Sequence, residues 1–294
     1  MILAVASGKG GTGKTTVSVN LARMVGAEVQ LVDCDVEEPN AHLFLNCTAP
    51  KEEIIYVLVP FVDEALCKGC GGCGHFCRYH AIVSFGTKPL IFPEMCHSCG
   101  GCIAVCPTGA LSEVKQRMGV VETGRSGNIT LIQGRIDIGV AMAPPMIRAV
   151  KKRLDCSIPA ILDAPPGTSC PVIATLRESS FVILVTEPTP FGLHDLQLAV
   201  DMVRTLNTPF GVVVNRMGIG DHRVHDFCKQ ARIPVLQEIP DDRRIAEAYS
   251  RGELIVDALP EYRGLFQDLL KKIPGTDSKN RLKTCANDLY RYSN

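Results

Sequence analysis

The 294 residues carry 31 Lys+Arg against 31 Asp+Glu, a formal net charge of zero, with 46% hydrophobic and 21% charged residues. That balance excludes wholesale disorder and argues against a protein that grips nucleic acid through bulk positive charge; at about 150 residues per domain the length suits roughly two domains. No apolar run approaches the ~20 residues that span a bilayer, and the opening MILAVASGKG lacks the basic segment of a signal peptide, so the expectation is a cytoplasmic protein without a membrane partner.

In chain order, residues 2–6 read as a short buried strand, 7–15 as a glycine-rich loop and 14–25 as a helix. A second strand over 29–32 ends at Asp33. Residues 60–115 then change character: eight of the 14 cysteines fall between Cys67 and Cys106. From 116 to 274 the alternation returns. Strands are predicted at 160–162, 181–186, 210–215 and 235–239, with helices at 171–178, 193–206, 222–231, 243–250 and 262–273. A polar tail follows over 275–294; its apolar face is thin, so it reads as a frayed or docked terminus rather than a membrane helix. The pattern predicts a doubly wound, mainly parallel α/β sheet built from 1–59 and 116–274, interrupted by a separate unit over 60–115. Functional residues should then lie at the carboxyl ends of the strands.

Gly8-Lys9-Gly10-Gly11-Thr12-Gly13-Lys14-Thr15 fits G-x-x-x-x-G-K-[ST] at every fixed position, between a predicted strand and a predicted helix. Glycines let backbone N–H groups face phosphate oxygens, and the helix N-terminus adds positive potential. Lys14 is expected on the β- and γ-phosphates, Thr15 on Mg²⁺, and Thr16 beside them. Asp163, ending an apolar strand before Ala-Pro-Pro-Gly, is expected to hold Mg²⁺. Asp33 and Asp35 follow the second strand, one suited to the metal shell and the other to orienting water; both also suit a turn.

Lys9-Gly10-Gly11-Thr12-Gly13-Lys14-Thr15 resembles the deviant Walker A motif of MinD/ParA/Mrp-type ATPases. The resemblance covers nearly all the chain outside the cysteine block. It implies a P-loop NTPase fold, ATP hydrolysis, and a dimer in which Lys9 reaches the nucleotide of the opposite subunit. It further implies that Asp35 positions the attacking water and that Asp163-Ala164-Pro165-Pro166-Gly167 is switch II. Asn215-Arg216 and Pro240-Asp241 would meet the base. The dimer could pair two copies or this chain with a related ATPase.

Cys67-x2-Cys70-x2-Cys73-x3-Cys77 recurs at an offset of 29 residues as Cys96-x2-Cys99-x2-Cys102-x3-Cys106. Zinc modules instead present paired C-x2-C knuckles. The run resembles that of bacterial ferredoxins, whose fourth Cys ligates the other cluster. The resemblance implies two [4Fe–4S] clusters: one on Cys67, Cys70, Cys73 and Cys106, the other on Cys96, Cys99, Cys102 and Cys77. Pro107 follows the last Cys as expected, but Arg78 stands at the equivalent place in the first half. His75 and His97 are expected near the surface and not as ligands; Cys34 and Cys170 are expected to be small buried residues.

The chain thus resembles MinD-type ATPases with an inserted 2[4Fe–4S] ferredoxin-like domain. The functions this implies are electron transfer gated by ATP, towards a redox partner, or ATP-dependent assembly of a metal cluster in an apo-metalloprotein client. A third is a positioning or regulatory ATPase like MinD or ParA, with clusters for structure or sensing.

Overall fold

The computed structural model describes residues 1–86 and 88–276; the polar tail from 277 onward, with Cys285, lies outside the described residues. The chain opens with β1 (Ile2–Ala6), α1 (Lys14–Met24) and β2 (Val29–Asp33). A long strand β3 (Thr48–Val62) leads to the cysteine block. The block holds α2 (Gly72–Phe76), a hairpin of β4 (Ile82–Ser84) and β5 (Pro89–Ile91), and α3 (Gly101–Ala104). β6 (Leu111–Ser126) returns along β3, and β7 (Ile129–Ile136) follows. Then come α4 (Ala143–Lys151), β8 (Ala160–Asp163), α5 (Cys170–Leu176), β9 (Phe181–Thr186) and α6 (Pro190–Thr205). The remainder is β10 (Phe210–Met217), α7 (Arg223–Gln230), β11 (Val235–Pro240), α8 (Arg243–Ser250), α9 (Ile255–Ala258) and α10 (Arg263–Lys272).

One nine-stranded sheet runs in the order β11-β10-β9-β1-β8-β2-β7-β6-β3. From β11 to β7 every pairing is parallel; β6 and β3 add an antiparallel edge. The expected mainly parallel α/β architecture is what the chain adopts. β1, β2, β8 and β9 are buried along their whole length and mostly apolar because both faces are covered. In β1, Leu3 and Val5 join one core with Val17 and Leu21 of α1 and Phe266 of α10. Ile2, Ala4 and Ala6 point the other way, to Ile147 of α4, Val172 of α5 and Val200 of α6.

The expected breaks at 60 and 115 fall inside paired strands. β3 and β6 pair from Thr48↔Arg125 to Val62↔Leu111, with register shifts between Thr48 and Lys51 and between Ile55 and Tyr56. The cysteine block therefore occupies 63–110, at the end of a two-stranded ribbon rooted in the sheet.

Candidate functional site

The carboxyl ends of β1, β8 and β2 lie side by side, with Val5 opposite Asp163 and Asp163 opposite Asp33. The glycine-rich loop leaves β1 there. Gly8 packs so close to α6 that a Cβ would come within 2.1 Å of the Asp195 carbonyl oxygen. Gly13, at φ 94°, starts α1 in a left-handed conformation that a side chain would strain. The Asn215 amide donates to the Thr12 carbonyl at 2.8 Å, tying the end of β10 to the loop.

Lys14 is buried, and burial lowers its pKa against the pull of Asp163, Asp35 and Asp33. Asp163 is buried at the end of β8, where Ser18 Oγ donates to its Oδ1 at 3.1 Å while Oδ2 has no hydrogen-bond partner. Burial and then the facing Asp33 push its pKa up to about 7, opposed by Thr15, Lys14 and Ser18. Asp33 is also buried, and its carboxylate accepts from the backbone N–H groups of Asp35, Asn40 and Ala41 at 2.9–3.0 Å. It shapes the loop after β2, the turn reading of that residue; burial still raises its pKa to about 6. Asp35 stands higher in the same loop, with a pKa raised to about 6 by burial and then by Asp33.

Above these groups opens a cleft of about 410 Å³, within the range of small-molecule sites. Gly10, Gly11, Gly13, Lys14, Thr15 and Thr16 form one wall; Asp35, Asn215, Arg216, Pro240 and Asp241 also line it. Asp163 and Asp33 lie beneath. Lys9 is at the rim, its ammonium 3.2 Å from Glu187 of the same chain. An orphaned carboxylate oxygen on Asp163, near the Thr15 hydroxyl, is a donor set that fits Mg²⁺.

A family model described as the CobQ/CobB/MinD/ParA nucleotide binding domain matches residues 3–255. The chain belongs to this family. An uncharacterised protein of Methanocaldococcus jannaschii is 32% identical over 264 residues, spanning 86% of this chain and 90% of that one. A protein named iron-sulfur cluster carrier protein, from Aquifex aeolicus, is 24% identical over 278 residues, 88% of this chain and 63% of the relative. The septum site-determining protein MinD of Pyrococcus horikoshii, complexed with Mg-ADP, shares the fold with a TM-score of 0.55 at 22% identity. That match covers 91% of this chain and 93% of the other. The matched family model is described by nucleotide binding, and the residues it matches include the glycine-rich loop and the cleft above it.

The cysteine block repeats in conformation as well as in sequence. Left-handed backbone recurs at the 29-residue offset: Gly69 and Ser98, Gly71 and Gly100, His80 and Gly109. Cys77, Cys96, Cys99 and Cys102 line one cavity with Leu58, Pro60 and Ile103. The Ser98 N–H donates to Cys96 Sγ at 3.4 Å. Cys73 and Cys106 pack beside the small core of Ile82, Cys102 and Leu111; Cys67 is half-buried and Cys70 exposed. Among the described residues no group of three or more His, Cys, Asp or Glu side chains is gathered closely enough to hold a single metal ion. His75 and His97 are exposed, His97 stacked on Tyr79 with ring centroids 3.4 Å apart. Cys34 is buried as expected, whereas Cys170 is exposed: it opens α5 at the surface, outside the apolar face formed by Val172 and Leu176. No helix among the described residues is long and apolar enough to cross a membrane.

Three residues of this site escape the motif. Ser18 lies one helical turn after Lys14, a spacing that could have marked it. Tyr249 reaches the cleft from α8 with no local signature. Glu187 follows β9 directly, so the strand-end rule that selects Asp33 and Asp163 selects it too.

Proposed function

We propose that this chain is a dimerising, MgATP-hydrolysing ATPase whose residues 63–110 form a bacterial ferredoxin-like unit for two [4Fe–4S] clusters. Its nucleotide state would govern electron transfer or metal-cofactor assembly. One observation carries the reading: Cys77, 19 residues before Cys96 in sequence, lines a single cavity with Cys96, Cys99 and Cys102. They are the set that the crossed ferredoxin ligand pattern requires. The thiolate donors, the apolar lining and the N–H on Cys96 Sγ fit such a cluster. When bound, the clusters would supply one-electron chemistry.

At the nucleotide, the loop amides and Lys14 neutralise phosphate charge, and Asp35 accepts a proton-bearing water at the open side of the cleft. Thr15 and Asp163 would hold Mg²⁺, which supplies charge stabilisation at the transferring phosphate. Asn215, Arg216, Pro240 and Asp241 form the wall for the base. A route for coupling also exists in the chain. Switch II runs from Asp163 into α5, and Lys151 of α4 donates to the α5-end carbonyls of Ala174, Thr175 and Arg177 at 2.6–3.2 Å. Just beyond α4, Arg153 pairs with Glu53 of β3, the strand that leads to the cysteines.

The relatives named iron-sulfur cluster carrier proteins favour a second reading, delivery of a cluster to an apo-metalloprotein client. The partner subunit would be a second copy or a related ATPase. An anaerobic EPR-monitored redox titration with MgADP, then with a non-hydrolysable ATP analogue, tests the proposal. Two cubane signals whose potential or line shape moves between the two nucleotides are expected. No cubane signal would remove the cluster assignment. Signals indifferent to nucleotide would remove electron gating and leave delivery, which metallation of an apo-protein client would test.

A further inference from the structure

The buried carboxylate of Glu187 serves two cations of the nucleotide site at once. Its Oε2 lies 3.2 Å from Lys9 Nζ and its Oε1 accepts from Arg216 at 2.8 Å. The Glu187 side chain is 8% exposed, against 33% for Lys9 and 51% for Arg216. A carboxylate so buried needs a counter-charge, and it has two.

The surroundings fix the backbone that carries Glu187 and leave the Lys9 side chain, 33% exposed, free to move. The Glu187 carbonyl accepts from the Thr189 N–H at 2.8 Å, and Gly192 packs so that a Cβ would lie 2.2 Å from that same oxygen. The next carbonyl, of Pro188, accepts from the Asp221 N–H at 3.0 Å. Lys9 has its backbone fixed as well, because its carbonyl accepts from Ser7 Oγ at 2.5 Å. Only the Lys9 side chain can change partner. When it leaves, Arg216 still neutralises Glu187, so the departure strands no buried charge.

We propose that Glu187 is a positioning residue: it parks Lys9 against its own subunit until the phosphates of a nucleotide on a partner subunit compete for the ammonium. Arg216 holds the carboxylate after the exchange. This rests on the reading above that Lys9 acts across an ATP-dependent dimer. The parking contact opposes dimerisation, since each Lys9 must give up an ion pair before it can cross the interface.

Sedimentation velocity of the full chain, with MgADP and with a non-hydrolysable ATP analogue, tests it in wild type, Glu187→Gln, Lys9→Ala and the double variant. Glu187→Gln keeps the shape and removes the charge. It should tighten the analogue-dependent dimer by about two- to thirtyfold, the range for losing two partly exposed ion pairs, one in each subunit. The gain should vanish in the Lys9→Ala background. Glu187→Asp, which keeps the charge, covers the case in which the glutamine variant fails to fold; by shortening the reach to Lys9 it should tighten the dimer by a smaller factor. An analogue-dependent wild-type dimer that is lost in Lys9→Ala but unchanged or weakened in both Glu187 variants would overturn the parking role alone. A wild type that never dimerises with the analogue, or a Lys9→Ala variant that dimerises equally well, would overturn the underlying reading of Lys9.

Discussion

In the parallel sheet, β1 buries all five of its residues and β9 all six, whereas β3 leaves Ile54, Tyr56 and Leu58 at 41%, 50% and 42% exposure. The contrast sharpens in the cysteine block. Leu66, Phe76, Tyr79, Phe85, Leu90, Met95 and Val105 are all exposed, and the core beneath them is Ile82, Cys102 and Leu111. Below about 70–80 residues a single core rarely supplies more than ~3–5 kcal/mol, so small units lean on disulfides or metals. The sheet is held by packing. The thiols of the block are free of disulfides; on the proposed reading it is the clusters on those thiols that would hold it.

The strongest way to break this contrast is to strip iron with a chelator under reducing conditions. Amides of residues 63–110 should lose nearly all their protection from hydrogen exchange, while β1, β8 and β9 stay protected. Equal protection before and after would mean that the block folds on packing alone.

A large-to-small change in each region gives the next effect. Leu3→Ala, at a fully buried site in β1, should cost about 2–5 kcal/mol in denaturant unfolding. Phe85→Ala, 78% exposed, should stay within about 0.5 kcal/mol. Similar costs would erase the distinction.

Lys151→Met probes the join between α4 and α5, on the sheet side of the comparison. Lys151 is buried, and the change leaves three α5 carbonyls without their ammonium donor. A loss of about 1–3 kcal/mol is expected by the same measurement. If the join also carries the nucleotide signal, the variant should shrink any difference between cluster signals in the ADP and ATP-analogue states.

A further effect is electrostatic and confined to the sheet. Without nucleotide, Asp163 and Asp33 keep protons up to about 7 and about 6, above the ordinary carboxylate range, because both are buried. Between about pH 4 and 7 the folded state therefore binds more protons than the unfolded state. Stability of the nucleotide-free protein should fall as pH rises through that window and level off above it. Thermal melts from about pH 3 to about pH 8, which bracket the window, should show the decline, and Asp163→Asn should flatten it.

The phosphate loop was legible because its chemistry is local: eight consecutive residues, Gly8 to Thr15, carry the spacing, and the strand and helix around it follow from apolar runs. The strands β1, β8 and β9 were legible for the same reason, each being short and buried on both faces, and β10 and β11 from their short apolar runs. The ribbon was not. β3 mixes Lys51-Glu52-Glu53 with Ile54–Val59, and only its pairing with β6 gives the segment one conformation. That pairing also moved the edges of the cysteine block from 60 and 115 to 63 and 110. α4 was missed too: its buried face, Met146, Ile147 and Val150, has meaning only against β7 and α5.

By itself, then, the amino-acid order determined the α/β class, the nucleotide loop, its acidic strand ends and the doubled cysteine run, since each depends on residues within a few positions of one another. Tertiary structure decided which groups meet across long separations. It set Asp33 to cap its own loop, placed Asn215 on Thr12, brought Cys77 to the cavity of Cys96, Cys99 and Cys102, and put Lys9 and Arg216 on Glu187. Those meetings follow from strand order and burial, which fix what a charge or a thiol faces and which no local pattern encodes.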